Sequence, residues 1–549
     1  MTAPSEVKPM ADPVADLVQA VEDAAADIAD GRRPDGARLS RPPKPEFGDY
    51  SSNAPMLLAP LVKESPRQVA EKLGEAVTKR LGDDLDRAEV AGPGFLNLFM
   101  SDSWFRQALA KSAAAGDDFG RAQPDKPERI QVEFVSANPT GPANAATGRH
   151  AAYGDSLARI LSFAGHDVQR EYYVNDYGGQ VRRFGESIQA RARGEEPPED
   201  GYQGEYVTEL AARLDGAADA DPDDVARRGV ELMVEGMSAT LERFRVHFDR
   251  FFHERDLHEA GAVERSLELL RAHGHVYESE GALWLRTSAL GDDKDRVLRR
   301  SNGDETYLAS DIAYHEDKRE RGFDRIIDVW GADHHGHVAR MHAAWEALGG
   351  DRDRLELLIM QLVNLMEGGQ RYQSSKRSGT FVTLDELIDD IGVDAARFFM
   401  LQRSHDTTLD LDLKLAREQS QENPVYYVQY AHARIASILR KAGDVRVEEA
   451  VGADLAGGAA GGALHASASA LLKHLLELPE EVRLSAERRA PHRMTTYSLE
   501  VARAFSAFYR DCQVVGGDDE DFRIALSVQS QRVIARALDL LGVEAPDSM

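Results

Sequence analysis

Residues 131–155, QVEFVSANPTGPANAATGRHAAYGD, leave the chain few choices. Ile130, Val132 and Phe134 alternate with Gln131, Glu133 and Val135, the period of a strand with at least one buried face. Pro139 and Pro142 lack N–H donors and flank Gly141, so neither a strand nor an interior helix can continue and the chain must turn. From Gly148 onward, Ala151, Ala152, Leu157, Ile160 and Leu161 recur at helical spacing. Strand, turn and helix in that order begin an open α/β sheet. Ligands of such sheets bind at the carboxyl ends of the strands, where free helix N–H groups favour an anion.

The flanking sequence extends this unit. REYYVND (170–176) reads as a strand one helix later, giving a βαβ unit with parallel strands. Residues 185–250 are charged and helical in pattern, with a loop at GEEPPEDGYQGE, and read as an insertion between the halves of the sheet. GALWLRT reads as a strand, and Ile326, Ile327 and Val329 as a buried strand that runs into the loop GADHHGH. Tyr307 and Asp311, four residues apart, share a face if their segment is helical. Thr383 and Glu386 have capping-box spacing. From Asn423 the pattern is all-helical: Ile435, Ile438 and Leu439 share one face, and Val501, Phe505, Phe508 and Tyr509 another. The first 110 residues mix helical stretches with loops and end on turn and strand, AEVAGPGFLNLFM (88–100). The polar run AAAGDDFGRAQPDKPER then marks a domain boundary.

At 549 residues the chain suffices for several domains. Cys512 is the only cysteine, which excludes an intrachain disulfide and a cysteine-based zinc site and suits a reducing cytoplasm. The first residues carry no charged-then-apolar leader and no run of 18 apolar residues, so neither export nor membrane insertion is expected.

VEFVSANPTGP followed by GRHAAYGD resembles the first signature region of the bacterial arginyl-tRNA synthetases, a class I family. YLASDIAYH, WGADHHGH, SSKRSGTFVTLDEL, VDAARFF and NPVYYVQYAHARI match in the same order, over almost the whole chain. The resemblance implies a multidomain α/β protein. Residues 1–112 would form an N-terminal α+β accessory domain that contacts tRNA. Residues 128–414 would form a Rossmann-like parallel-sheet catalytic domain with a helical insertion at about 185–250 and a Ser-Lys-Arg loop. Residues 415–549 would form an all-α anticodon-binding helix bundle. It further implies ATP-dependent ligation of L-arginine to tRNA(Arg) through arginyl-adenylate, with release of AMP and pyrophosphate. A cytoplasmic monomer is expected, with Mg2+ carried by ATP, no structural metal and no membrane partner.

Arginine activation sets three tasks: grip a guanidinium, fix the ammonium and carboxylate, and stabilise the departing pyrophosphate. A planar guanidinium with five donors is distinguished from an ammonium by carboxylates that accept in bidentate fashion. By resemblance these are Glu254 and Asp311, with the Tyr307 hydroxyl beside them. Glu133, Ser136, Asn138 and His334 complete the expected arginine site. Lys376, with Ser375 and Arg377, matches the end of the family's second signature and would supply positive charge to the leaving pyrophosphate. Phe95, Asn97, Tyr426 and Tyr430 are the expected tRNA contacts, the tyrosines by stacking.

The first signature departs from the family. Where His-x-Gly-His is usual, this chain has Asn144-Ala145-Ala146-Thr147. Asn144 still offers an amide donor and Thr147 a hydroxyl, and with Pro142, Gly148, Arg149 and Lys376 they make up the expected ATP site. Loss of one transition-state donor typically costs about 3–4 kcal/mol. The departure therefore leaves a second reading open, a non-catalytic relative that binds tRNA or arginine. A third, a zinc hydrolase, is suggested by His334, His335, His337 and His342, but no His-Glu-x-x-His pattern supports it.

A formal net charge of −28 has the wrong sign for holding a polyanion. Affinity for phosphates would have to come from local clusters, with Arg296, Arg299 and Arg300, Lys376 and Arg377, and Arg488, Arg489 and Arg493 as candidates. The acidic excess equally fits life at high salt, where self-repulsion is screened.

Overall fold

The computed structural model describes residues 12–33, 36–124, 126–372, 382–455 and 463–549. At its centre lies a five-stranded parallel sheet: β1 (Arg129–Glu133), β2 (Asp167–Val174), β3 (Arg250–His253), β4 (Arg325–Gly331) and β5 (Leu355–Met360). The spatial order is β5-β4-β1-β2-β3. The order therefore reverses at β1, where neighbouring connections leave on opposite sides and a crevice opens beyond the carboxyl ends. Ile327 and Asp328 of β4 pair with Val132 and Glu133 of β1, and Glu171 of β2 pairs with Glu133 from the other side. These registers bring the ends of the three central strands level.

α1 (Ala145–Phe163) follows β1 and packs on the sheet. It approaches closely because Gly154 faces Phe134, where an added Cβ would overlap the ring. Helices Gly179–Ala192, Glu205–Arg213 and Pro222–Arg243 make an insertion between β2 and β3, which are neighbours on one side of β1, and so do not separate the two halves of the sheet. The short α2 (Glu254–Glu259) leaves β3 directly, and α3 (Tyr307–Glu320) precedes β4.

α4 (Leu384–Met400) opens with the capping box of Thr383 and Glu386. Among the described residues from Pro424 onward the regular elements are helices, dominated by α5 (Pro424–Ala442), α6 (His492–Asp511) and α7 (Glu520–Leu540). The N-terminal region is a four-stranded sheet, in the order Leu39–Ser40, Tyr50–Ser52, Phe95–Met100, Leu85–Ala91, covered by helices. The chain is thus an N-terminal α+β domain, a parallel-sheet domain and a helical C-terminal domain. ELLIMQLVNLM, apolar almost throughout, is divided between two sheets: Leu355–Met360 joins the parallel sheet and Val363–Glu367 a small three-stranded one.

Candidate active site

β1 ends at Glu133, two residues before its alternation runs out, and the reason is conformational. Val135 and Ser136 have φ of 70° and 40°. For a β-branched residue this left-handed region is strained, and such strain concentrates at functional corners. The kink turns Ser136 back over the strand end, where its hydroxyl donates to Glu133 Oε1 at 2.8 Å and accepts from the Tyr173 N–H at 3.1 Å. Asn138 is exposed at the crevice, with its amide 3.3 Å from Gln180. Tyr206, from the insertion, donates to the Thr140 carbonyl at 2.7 Å and holds the Pro-Thr-Gly-Pro turn.

α1 begins at this turn. Asn144 is its N-cap and accepts from the Thr147 N–H at 3.0 Å, while the Thr147 hydroxyl lies 3.3 Å from the same oxygen. Ala146 is exposed at the second helical position. Helix N–H groups therefore face the crevice with no bulky side chain over them, a site suited to phosphate. Gly148 serves packing: a Cβ there would lie 2.7 Å from Leu384 and 3.1 Å from Met400. The Leu384 N–H donates to the Ala143 carbonyl at 2.8 Å, and Asn144 bridges Thr383. Ser375, Lys376 and Arg377 lie outside the described residues, as does all of 373–381; Thr383 is two residues beyond that segment.

Arg149 corrects an expectation. Its guanidinium is 1% exposed and donates to the carbonyls of Gln361, Leu362, Ser404 and Thr407 at 2.7–3.1 Å. Burial lowers its pKa to about 10. A guanidinium so enclosed binds protein carbonyls in place of the ATP phosphates anticipated for it.

A second group of side chains lies beyond β2 and β3. Glu254, the first residue of α2, is 4% exposed, and its carboxyl is pushed up to about 7 by burial and by the nearby charge of Asp311. Asp311, one turn into α3, is likewise pushed up to about 6, chiefly by burial. The neighbouring Ser310 and Tyr173 hydroxyls favour the ionised form of Glu254 and partly offset its rise. Tyr173 lies among the charges of Glu254, Asp311 and Glu133, which with burial drive its pKa well up. Among the described residues neither Glu254 nor Asp311 has an arginine or lysine ion-pair partner; the ion-pair partner of Glu254 is His258, at 3.8 Å. Two buried carboxyls near neutrality are poised to ionise when a cation enters. Tyr307 stands at the mouth, 69% exposed, on the same helix face as Asp311.

Behind the pocket runs a closed ionic network. Lys318, fully buried on α3, donates to Glu133 Oε2 at 2.5 Å and to Asp328 Oδ1 at 2.7 Å. Burial would lower the Lys318 pKa, but the two carboxylates outweigh it and raise it. His315 contacts the other oxygen of Asp328 at 3.0 Å. Both oxygens of Glu133 are thus engaged, one with Ser136 and one with Lys318, so Glu133 meets the pocket through Ser136. His334 lies on the loop after β4, its ring centroid 5.8 Å from that of Trp330. Among the described residues no three His, Cys, Asp or Glu side chains are grouped as metal ligands, the loop histidines included.

Comparison with known proteins agrees with this geometry. Residues 15–100 match the family profile described as the arginyl tRNA synthetase N-terminal domain, residues 215–436 the class I tRNA synthetase (R) catalytic domain, and residues 428–549 the DALR anticodon binding domain. The arginine–tRNA ligase of Heliobacterium modesticaldum is 43% identical, over 97% of this chain and 98% of that one. The chain belongs to the arginyl-tRNA synthetase family. The Frankia alni arginine–tRNA ligase is 44% identical over 98% of each chain. The solved arginyl-tRNA synthetase of Thermus thermophilus superposes with a TM-score of 0.76 at 26% identity, covering 97% of this chain and all of that one.

As an arginyl-tRNA synthetase family member the chain has further surfaces to place. Phe95 is 38% exposed at the start of its strand, whereas Asn97 is 5% exposed and accepts from the Ser51 hydroxyl at 2.7 Å. Asn97 is therefore a sheet residue, a correction to its expected tRNA contact. Tyr426 and Tyr430 stack along α5 with centroids 6.2 Å apart, and Arg434 lies 4.9 Å over Tyr430 and 5.3 Å over Tyr509. The anticipated basic clusters are largely neutralised. Arg296 pairs with Asp292 and Asp293, Arg299 with Glu264 and Glu305, Arg489 with Glu356, and Arg493 with Glu481.

Sequence reasoning did not single out Tyr173, Ser310, Lys318 or Asp328. For Tyr173 the signal was present: in Tyr172-Tyr173 one ring must face each side of the strand. Tyr172 is buried, its hydroxyl on the Ala137 carbonyl, and Tyr173 faces the pocket.

Proposed function

We propose that this chain is an arginine–tRNA ligase. An arginine carboxylate oxygen attacks the α-phosphorus of ATP, pyrophosphate leaves, and the arginyl-adenylate passes its arginyl group to a 3′-terminal hydroxyl of tRNA(Arg) with release of AMP. One observation carries the substrate assignment: Glu254 and Asp311 are buried together, raised toward neutrality, with no arginine or lysine partner among the described residues. A guanidinium supplies planar donors to both and restores their ionisation.

In this reading Ser136 and Asn138 meet the α-amino group, Tyr307 closes over the guanidinium, and His334 flanks the amino acid and adenosine. Asn144, Thr147 and the first N–H groups of α1 take the ATP phosphates beside Pro142 and Gly148. Lys376, with Ser375 and Arg377, stabilises the departing pyrophosphate. Mg2+ arrives with ATP, held by phosphate and water. Phe95, Tyr426 and Tyr430 contact tRNA, and the protein acts as a cytoplasmic monomer with domains near 1–112, 128–414 and 415–549.

The test is arginine-dependent ATP–pyrophosphate exchange, with and without tRNA(Arg), across a range of salt. Exchange establishes the ligase and shows that Asn144 and Thr147 suffice in the altered signature. Folded protein that binds tRNA but gives no exchange at any salt would instead be the non-catalytic relative.

A further inference from the structure

His258 closes the outer side of the carboxylate pocket, and nothing in the site described above gives it a task. It lies one turn after Glu254 on α2, with a side chain only 13% exposed. Its Nε2 is 3.2 Å from the Ser310 hydroxyl and 3.8 Å from Glu254 Oε1, and its Nδ1 is 3.6 Å from Glu305. The ring of Tyr177 covers its face, with centroids 3.7 Å apart and planes within 14°.

This seat is built into the backbone. Asp176, 4% exposed, contacts His253 Nδ1 at 2.8 Å with one oxygen and accepts the Arg255 N–H at 3.0 Å with the other. The segment after β2 is thereby tied to the start of α2, and Tyr177, the next residue, is set on the imidazole. A ring stacked on one face and bonded at its edge has little freedom to rotate.

His258 Nε2 thus meets the Ser310 hydroxyl and Glu254 Oε1 together, which sets the imidazole edge against that carboxyl oxygen. We propose that His258, anchored on Ser310, is a positioning residue for arginine recognition: its imidazole edge limits the Glu254 carboxylate, 3.8 Å away, to the plane that a guanidinium needs. A carboxylate free to rotate could still attract an ammonium, but bidentate pairing with a guanidinium demands a fixed plane. The inference rests on the arginine ligase reading above.

Three forms of the full-length chain test it: wild type, His258→Phe, which keeps the stack on Tyr177 but removes the polar edge, and His258→Asn, which restores one. Arginine affinity is read by calorimetry, and the KM values for arginine and ATP by pyrophosphate exchange. His258→Phe is expected to weaken arginine about tenfold in both Kd and KM, the effect of one lost charge-assisted arrangement. Its KM for ATP should stay within about twofold, and His258→Asn should recover most of the loss. Unchanged arginine affinity in His258→Phe overturns the proposal and leaves the ligase reading standing. So does a parallel loss of arginine and ATP that His258→Asn does not rescue, since that marks a merely structural role. A wild-type chain that binds no arginine overturns both.

Discussion

The Arg397 guanidinium meets the Asp155 carboxylate at 2.6 Å with neither side chain more than 1% exposed. Arg397 also donates to the carbonyls of Leu541 and Phe244, each at 2.9 Å. One side chain thus joins α1, α4, the end of the insertion and the end of α7. Removing a single partner strands a buried charge. Arg397→Met and Asp155→Asn are each expected to cost about 3–5 kcal/mol, and the double substitution less than their sum. Denaturant midpoints of the three variants check this.

Arginine binding should depend on pH, with a sign fixed by the carboxyl shifts. Glu254 and Asp311 titrate near 7 and 6, above their ordinary values, so the free fold holds protons that the unfolded chain has released. Without arginine their contribution to stability therefore diminishes as pH rises from about 4 through 7. Guanidinium binding expels these protons. Affinity should fall about tenfold per unit as pH drops from 7 to 6, fall more steeply below 6, and level off well above 7. Calorimetry in buffers of different ionisation enthalpy would show proton release at pH 6.5 and little at pH 8.5.

Arg149→Lys should destabilise the fold by about 2–4 kcal/mol, because an ammonium with three donors cannot serve four carbonyls in the guanidinium plane. In the fraction that remains folded, the KM for ATP should be nearly unchanged. A large rise in KM with no loss of stability would return Arg149 to the nucleotide.

The Tyr426, Tyr430 and Arg434 surface can be tested apart from the chemistry. A stacked base is worth about 1–3 kcal/mol, so Tyr430→Ala should weaken tRNA(Arg) by about tenfold or more. Arginine affinity without tRNA should not move, as α5 lies outside the carboxylate pocket. Filter binding and calorimetry on the same preparation separate the two.

What could be read from the sequence follows from how local each signal is. Two prolines around Gly141 force a turn wherever the chain is placed, and alternation at Ile130, Val132 and Phe134 makes a strand in any context, so strand, turn and helix were legible. The capping box of Thr383 and Glu386 and the shared face of Tyr307 and Asp311 are equally local. Arg149 was misread because its acceptors lie more than 200 residues away, at Gln361, Leu362, Ser404 and Thr407. Asn97 was misread because only sheet pairing shows that it faces Ser51. Lys318 gave no signal: a lysine on a charged helix looks solvated until β1 and β4 set Glu133 and Asp328 on either side of it. The strain at Val135 and Ser136 is a backbone property that their side chains disguise.

The pairing of Arg296, Arg299, Arg489 and Arg493 with carboxylates changes how this surface meets RNA in general. A phosphate approaching any of them must displace an acid that is already seated, on a chain whose net charge repels it. Loose, sequence-blind attraction is thus weak from the outset. In an arginine–tRNA ligase such a surface would favour an RNA that meets several places at once over one held by charge alone.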